Sequence, residues 1–385
     1  MSARPRLIFP ARFHRPTWAE VDLDALQSNL RRLRRLLPKR VSILFVVKAD
    51  GYGHGAVRVS KAALESGTID GLGVSSVEEG ILLRDAGLRR PVLILGSLYP
   101  FESTLAAVRY NLSVTAASFD GARLIAQAAR RAYGPARRFR RLRCHLKLDT
   151  GMGRIGVSWP AGLKVAERLA AAKDVDFAGV YTHFSSADSD SESTAEQARR
   201  FREALRELEG AGLRPRLAHA ANSAGALLYP EARFDGVRPG LAAYGLWPGF
   251  KPALSLKTRI VFLKNMKAGM PISYGGRYKT RAASKIATLP IGYADGLPRA
   301  VSGKGQVLVR GRRCPIVGAV TMDMTMIDVS SVPEACVGDE AVLIGSQGSE
   351  QIQAGELAAW AGTISYEVLT GLKSRVPRVY LREKK

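Results

Sequence analysis

Eight short apolar runs recur between residues 41 and 245, and each ends in polar residues or glycine. Segments with helical spacing, such as VEEGILLRDAG and AEQARRFREALRELEGAG, separate them. Eight strand–helix units within about 200 residues predict an α/β fold with a (β/α)8 TIM-like barrel, and an open doubly wound sheet is the rival. The runs are SILFVVKA (42–49), GLGVSS (71–76), PVLILGS (91–97), LSVTA (112–116), LRCHLKLD (142–149), FAGVYTH (177–183), RLAHAAN (216–222) and FDGVRPG (234–240).

The pattern changes after about residue 250 to strand-like runs separated by Gly and Pro turns, with one late helix at GELAAWAG. We therefore predict a barrel over residues 17–250, a mainly β C-terminal domain over 251–385, and a flexible basic leader over 1–16. The strand-like runs are KTRIVFLKNM, SKIATLPIGY, GQVLVRG, CPIVGAV, MTMIDV and EAVLIG.

The chain is strongly basic, with 58 Lys and Arg against 34 Asp and Glu and a formal charge of +24. Such a balance permits nucleic-acid binding, but the basic residues are scattered and have no aromatic-interleaved RNA motif. RRLRR (31–35) is interpreted as the solvated face of an amphipathic helix, and RRFRRLR (137–143) as a solvated loop. We expect no nucleic-acid partner and, without a long apolar stretch, no membrane partner.

Three widely spaced cysteines, Cys144, Cys314 and Cys336, form no CxxC motif. This usage is typical of a reducing cytoplasm and argues against a disulfide scaffold or a zinc site. The histidines also lack carboxylates at ligand spacing, so we expect no metal.

Chemically useful side chains cluster where the predicted strands end. A reactive lysine together with phosphate-sized polar groups suggests pyridoxal phosphate, which needs a lysine, a phosphate cradle and a group facing its ring nitrogen. Each residue also has a structural explanation, such as a lysine that reaches solvent or a histidine bonded within the core. The candidates are Lys48, Tyr52, Lys147, Asp149, Arg154, His183, His219, Asn222, Ser223 and Arg238.

Nine motifs resemble the alanine racemase family, and they occur in family order over nearly the whole chain. They are VVKADGYGHG (46–55), LKLDTGMGRIG (146–156), YTHFSSAD (181–188), HAANSAG (219–225), RPGLAAYG (238–245), ISYGGRY (272–278), LPIGYADG (289–296), VTMDM (320–324) and GTISYE (362–367).

The resemblance implies a pyridoxal-phosphate enzyme that interconverts L- and D-alanine and supplies D-alanine for peptidoglycan. It implies a cytoplasmic, head-to-tail homodimer in which the β domain completes the partner's active site. Racemisation needs bases on opposite faces of the α-carbon. The resemblance assigns them to Lys48, which holds the cofactor as an aldimine, and to Tyr274 from the partner subunit.

The other site residues also follow from the resemblance. Lys147 occupies a position that is often carbamylated in the family. The cofactor contacts are Tyr52, His183, Asn222, Ser223, Arg238, Gly240, Leu241 and Tyr366. The substrate contacts are Arg154, Met322 and Asp323, and the entrance residues are Asp188, Tyr293 and Arg299.

Arg238 at the ring nitrogen has a chemical consequence. An arginine effectively stays protonated, so the nitrogen beside it stays unprotonated and the ring is a weaker electron sink. A carbanion that is stabilised less returns its proton to the α-carbon quickly, which favours racemisation over transamination.

Two positions depart from the family pattern, with Ala319 where many members have Arg and Met324 where many have Gln. The change puts strict alanine specificity in doubt, so a broad racemase acting on serine or basic amino acids is the alternative. A decarboxylase would typically place an acid at Arg238. A non-catalytic barrel would not need the β-domain motifs, and a nucleic-acid binder would bind DNA in a salt-dependent manner.

Overall fold

The computed structural model describes residues 14–133 and 141–381, which form two compact units. The barrel unit comprises residues 27–51 and 56–243. The sheet unit comprises the described residues up to Leu26, the segment Tyr52–Gly55 and the chain from Tyr244 onward. Its first strand, β1, is Thr17–Asp22. Residues 1–13 of the expected leader and 137–140 of the expected basic loop lie outside the described residues.

The barrel is built from eight parallel strands, which confirms the predicted fold class and rules out the open sheet. They neighbour one another in chain order, and the first and last, β2 and β10, also pair. A parallel bridge between Leu93 and Ser113 joins β4 to β5. The eight barrel strands are β2 Ser42–Val46, β3 Gly71–Val74, β4 Val92–Ile94, β5 Val114–Ala116, β6 Leu142–Asp149, β8 Val175–Tyr181, β9 Leu217–His219 and β10 Gly236–Val237. The short strand β7, Val157–Ser158, pairs with β6 and is not one of the eight.

Helices alternate with the barrel strands along the chain and pack with an apolar face inward. In the first helix Leu30 and Leu33 are fully buried while Arg31, Arg32 and Arg35 are exposed, which confirms the interpretation of RRLRR. The helices are Leu23–Leu36, Ala56–Glu65, Val77–Asp85, Phe101–Arg109, Phe119–Tyr133, Gly162–Ala170, Ser191–Gly210 and Ser223–Leu228. None of the helices in the described residues has the length and apolar character needed to cross a bilayer.

The sheet unit is mainly β, as predicted. Its largest sheet has the order β17-β16-β19-β11-β1-β21, with β20 paired to β19. A second sheet is β12-β15-β18, and β13 pairs with β14. The strands are β11 Leu254–Arg259, β12 Phe262–Met266, β13 Pro271–Ile272, β14 Tyr278–Lys279, β15 Ser284–Leu289, β16 Gln306–Val309, β17 Arg312–Pro315, β18 Thr325–Asp328, β19 Glu340–Gln347, β20 Glu350–Ile352 and β21 Arg378–Leu381.

Several local expectations for the sheet unit were wrong. KTRIVFLKNM is two strands in different sheets, and CPIVGAV leaves the strand after Pro315. Tyr293 lies in a 3-10 turn, Tyr293–Asp295, rather than at a strand end. The late helix is present as Ala354–Ala361, and a second helix, Ser365–Thr370, follows it.

A buried arginine ties two turns of the barrel together. The guanidinium of Arg84, which is 6% exposed, donates to the carbonyls of Leu88, Arg90, Tyr110 and Asn111. These carbonyls lie in the connections that follow two successive helices and lead into β4 and β5, so one cation satisfies acceptors from both connections.

Substitution Arg84→Met is expected to lower the free energy of unfolding by about 3 kcal/mol, because it leaves buried carbonyls without donors. Arg123→Met, at an exposed arginine with a loose ion pair to Asp120, is the control and should change it by less than about 0.5 kcal/mol. Denaturant unfolding measures both, and equal values would contradict the role given to Arg84.

Candidate active site

The candidate residues of the barrel unit lie at the carboxyl ends of its strands, where (β/α)8 barrels carry their chemistry. Lys48 follows β2, Lys147 lies near the end of β6, and His183 follows β8. Asn222 and Ser223 follow β9, and Arg238 follows β10. The structure therefore places these predicted residues at one end of the barrel, while Arg154 and Asp188 lie in exposed loops after β6 and β8.

Lys48 opens a strained left-handed turn. Ala49, Asp50 and Tyr52 all have φ between 51° and 53°, a conformation that costs roughly 1–2 kcal/mol for each residue with a Cβ. The turn is fixed by carboxylates, because Glu79 accepts the amides of Ala49 and Ser75, at 2.6 and 2.7 Å, and Asp50 accepts the amide of Ala56. The strain therefore lies next to Lys48.

Both lysines of the site favour the neutral amine more than an exposed lysine does. Burial lowers the pKa of Lys48, and the positive charge of Arg154 lowers it further. Burial and Arg154 also lower the pKa of Lys147 to about 8. The carboxylate of Asp149 accepts the amides of Gly151, Met152 and Gly153, and so shapes the loop that carries Arg154.

Arg238 is an almost fully buried cation whose two terminal nitrogens meet five acceptors. It is 4% exposed, and its two terminal nitrogens donate to three carbonyls, those of Thr182, His219 and Ala220. They also contact Nδ1 of His219 at 2.7 Å and Nδ1 of His183 at 3.2 Å. Within the described residues its Nε–H makes no hydrogen bond, so this donor remains for a ligand.

Tyr181 packs beneath this cluster. Its ring stacks on His219 with the centroids 4.8 Å apart, and the guanidinium of Arg238 lies 5.1 Å from its centroid. Its hydroxyl bonds Thr115 Oγ1 at 2.9 Å. Burial raises the pKa of Tyr181 to about 12, so the phenol stays neutral. Sequence reasoning did not select Tyr181, although it lies at the end of an apolar run, two residues before the candidate His183.

A second group of donors suits an anion. Ser223 is buried, and its Oγ accepts the amides of Gly240 and Ala242, which leaves its own hydrogen to donate. The amide of Leu241 has no acceptor among the described residues. In the sheet unit, the rings of Tyr52 and Tyr366 lie 6.0 Å apart, and burial raises the pKa of Tyr52 so that it remains a donor.

The predicted partner-completing residues are exposed on the sheet unit. Tyr274 is 77% exposed in a 3-10 turn, Tyr274–Gly276, rather than half-buried on a strand. Tyr293 and Met322 are exposed by 41% and 54%. The amide of Tyr293 donates to Thr321 O, which joins its turn to the loop of Met322 and Asp323. Arg299 opens the next 3-10 turn.

Arg15 is a residue that the sequence interpretation missed, because it lies in the expected leader. It makes a bidentate ion pair with the fully buried Asp295, at 2.5 and 2.7 Å, and donates to the carbonyl of Asp323. Arg375 donates to the side chain of Asp323 at 2.7 Å. Two arginines therefore fix the loop that carries Met322 and Asp323.

The fold and site define a class: a (β/α)8 barrel with an electropositive, anion-suited centre at its strand ends, joined to a mainly β unit. The chain matches the family model for the alanine racemase N-terminal domain over residues 21–248 and that for the C-terminal domain over residues 253–380. The chain belongs to the alanine racemase family. Members of this family generally depend on pyridoxal phosphate and are generally dimers.

Similar proteins cover nearly the whole chain. An alanine racemase of Symbiobacterium thermophilum is 50% identical over 95% of this chain and 97% of its own length. One of Halothermothrix orenii is 43% identical over 96% and 98%. The structure of alanine racemase from Bacillus anthracis with bound L-Ala-P has a TM-score of 0.89 and 38% identity, and covers 97% of both chains.

The three histidines around Arg238 are expected to remain neutral through the physiological range. Burial, followed by the charge of Arg238, lowers the pKa of His145 to about 3 and holds those of His183 and His219 well below 6.5. The unfolded chain then binds protons that the folded chain does not. Stability should therefore fall as pH decreases below 6.5, by up to about 1.4 kcal/mol per pH unit for each histidine.

A ¹⁵N-histidine NMR titration between pH 8 and 5 measures this directly, alongside denaturant unfolding at each pH. Signals from these three imidazoles should not move, and the free energy of unfolding should decrease toward acid pH. An imidazole of this group that titrates near pH 6.5 would contradict the prediction.

Proposed function

We propose that this chain is a pyridoxal-phosphate-dependent alanine racemase that interconverts L- and D-alanine. The observation that carries the proposal is the buried Arg238, which keeps one N–H donor for a ligand at the strand ends that also carry Lys48. Family membership supports the same activity. We also propose, from the family resemblance, a cytoplasmic enzyme that supplies D-alanine for peptidoglycan.

The donor set fits the cofactor. Arg238 Nε–H suits an unprotonated ring nitrogen, with His183 beside it. The hydroxyls of Ser223, Tyr52 and Tyr366 and the amides of Gly240 and Leu241 are proposed to hold the phosphate, and Asn222 fixes the turn by accepting the amide of Gly225. When bound, pyridoxal phosphate withdraws electrons from the substrate's α-carbon and acidifies its proton.

Lys48 is proposed as the cofactor-bearing residue and as one of the two bases. Its lowered pKa increases the fraction of neutral amine, which is the form that attacks a carbonyl and accepts a proton. The left-handed turn that follows Lys48 fixes the position of its backbone, from which the side chain and its amine extend. Glu79 accepts the amide of Ala49 in that turn and the amide of Ser75 after β3, so its carboxylate ties the turn to the neighbouring strand end and positions the lysine without contacting substrate.

Tyr274 is proposed as the base on the opposite face, supplied by the partner subunit of a homodimer. Its exposed position on the sheet unit supports this role, because a residue that completes another chain's site must be accessible in its own. Arg154 is proposed to bind the substrate carboxylate, with Met322 and Asp323 of the partner subunit. Asp188, Tyr293 and Arg299 are proposed to line the entrance.

Lys147 is proposed to carry a carbamate. It is 5% exposed, and its pKa of about 8 gives it a larger fraction of neutral amine than an exposed lysine has, and the neutral amine is the form that reacts with carbon dioxide. A carbamate would replace a buried cation by an anion facing Arg154, whose charge acts on Lys147. We also propose that the chain has a barrel domain over residues 17–250 and a C-terminal domain over residues 251–385. The two compact units of the structure interleave along the chain, so their bounds differ from these.

The activity is tested with L-alanine, L-serine and L-lysine assayed separately in heavy water with added cofactor. Deuterium uptake at the α-carbon and enantiomer composition are followed together. We expect rapid exchange and D-alanine formation, with little turnover of the other two. Comparable turnover of serine or lysine would replace the proposal with the broad racemase, and exchange on none of them would overturn it.

Substitution Lys48→Ala is expected to abolish the visible absorbance of covalently bound cofactor and to lower racemisation by at least about 10²- to 10⁴-fold, the usual contribution of a proton-transfer group. Lys61→Ala, at an exposed lysine on the helix Ala56–Glu65, is the control. Spectra and initial rates on L-alanine measure both effects. Full activity in the Lys48 variant would remove it from the mechanism.

Substitution Tyr274→Phe is expected to stop racemisation while leaving α-proton exchange in one enantiomer, because one of the two faces keeps its base. The loss should be about 10²- to 10⁴-fold. Tyr278→Phe, four residues away, is the matched control and should leave both directions unchanged. Exchange from L- and D-alanine, measured separately in heavy water, reports each face, and equal losses for both enantiomers would contradict the assignment.

A further inference from the structure

The hydrogen bonds of Arg238 determine the tautomer of His219. A guanidinium has five N–H donors and no acceptor. Its contact with His219 Nδ1 at 2.7 Å therefore requires a lone pair on that nitrogen. His219 is fully buried beside a cation, so its ring is neutral and its single proton lies on Nε2.

His219 in turn determines the tautomer of His145. Nε2 of His219 lies 3.0 Å from Nδ1 of His145, and these rings meet edge to face with centroids 5.2 Å apart. Because Nε2 carries the proton, it donates, and Nδ1 of His145 accepts. The proton of His145 is then on its own Nε2. A directed chain of donors therefore runs from Arg238 through His219 to His145.

The surrounding strands hold this chain in place. His145 lies on β6 two residues before Lys147, so both side chains leave the strand on the same face. Gly179 on the neighbouring strand β8 makes room for the imidazole, since a Cβ there would lie 2.3 Å from His145 Nδ1. Tyr181 stacks on His219 from the same strand. Both rings therefore have little freedom to turn away from each other.

We propose that His145 is a positioning residue that fixes the acceptor tautomer of His219 and thereby holds Arg238 with its Nε–H available to the cofactor's ring nitrogen. The part that concerns the cofactor rests on the proposed function. The other tautomer of His219 would place an N–H against an N–H of Arg238 and would also leave Nδ1 of His145 without its donor, so Arg238 and His145 disfavour it together. His145 contacts neither substrate nor cofactor in this role.

Two near-isosteric substitutions of His145 distinguish the effect of its Nδ1 lone pair from the effect of its packing. Asn at position 145 offers its Oδ1 close to where Nδ1 stands, so His145→Asn should keep the acceptor. His145→Leu keeps similar volume without an acceptor, which leaves the Nε2–H of His219 buried and unbonded. In the Leu variant only Arg238 still opposes the other tautomer, so His219 should populate that tautomer in part, while the Asn variant should not.

The first test is a long-range ¹H–¹⁵N spectrum of ¹⁵N-histidine-labelled holoenzyme, which has only five histidines to assign. We expect His145 and His219 each to show an unprotonated Nδ1 and a protonated Nε2. A proton on Nδ1 of His219 in the unaltered protein would overturn the proposal. This measurement needs no variant to fold and no substrate to turn over.

The second test compares the variants. We expect His145→Leu to shift the His219 nitrogen signals, alter the absorbance of bound cofactor and lower kcat for alanine roughly 10-fold with KM changed less than about 3-fold, as is common when a second-layer hydrogen bond is lost. His145→Asn should retain kcat within about 3-fold. Unchanged His219 signals in the Leu variant would overturn the proposal even if alanine proved not to be the substrate.

Discussion

The buried guanidinium of Arg238 constrains the histidines and lysines around it at the strand ends. A cation with this little exposure needs acceptors, and here three carbonyls and two imidazole nitrogens share the four N–H groups of its terminal nitrogens. The imidazoles must stay neutral, because a second cation at that distance would repel the first. The two imidazoles that Arg238 contacts are therefore neutral and act as acceptors toward it.

The same electropositive surroundings explain the two lysines. Burial lowers the pKa of Lys48 and Lys147 first, and the charges of Arg154 and Arg238 lower both pKa values further, so both lysines shift toward the neutral amine. The strain of the left-handed turn after Lys48 is compatible with this arrangement because Glu79 and Asp50 hold its backbone. Burial and charge therefore lower the pKa of the Lys48 amine, and the strained turn fixes the backbone beside it.

Much of this was predictable from the sequence, because the signals are local. All eight apolar runs are barrel strands, and Lys48 lies at the end of the first of them. The features that were missed depend on distant pairing. Arg15 looked like part of a leader because its partner Asp295 is 280 positions away. β1 belongs to the sheet of the other unit because its partners are β11 and β21, which no local pattern reveals. From the sequence His145 is only a residue of a predicted strand, and its hydrogen bond to His219 is visible only in the folded structure.

The pairing of β1 has a consequence for how the chain is made. Synthesis proceeds from the N-terminus, and domains generally fold as units during it. Every strand of the barrel, ending with Val237, is complete before β11 begins at Leu254, and β21 follows only at Arg378. Trp18, Ala19 and Val21, all fully buried in the finished fold, must therefore wait unpaired through most of translation. A nascent chain stalled before residue 254 would present this apolar strand as an open edge for chaperones or for another copy.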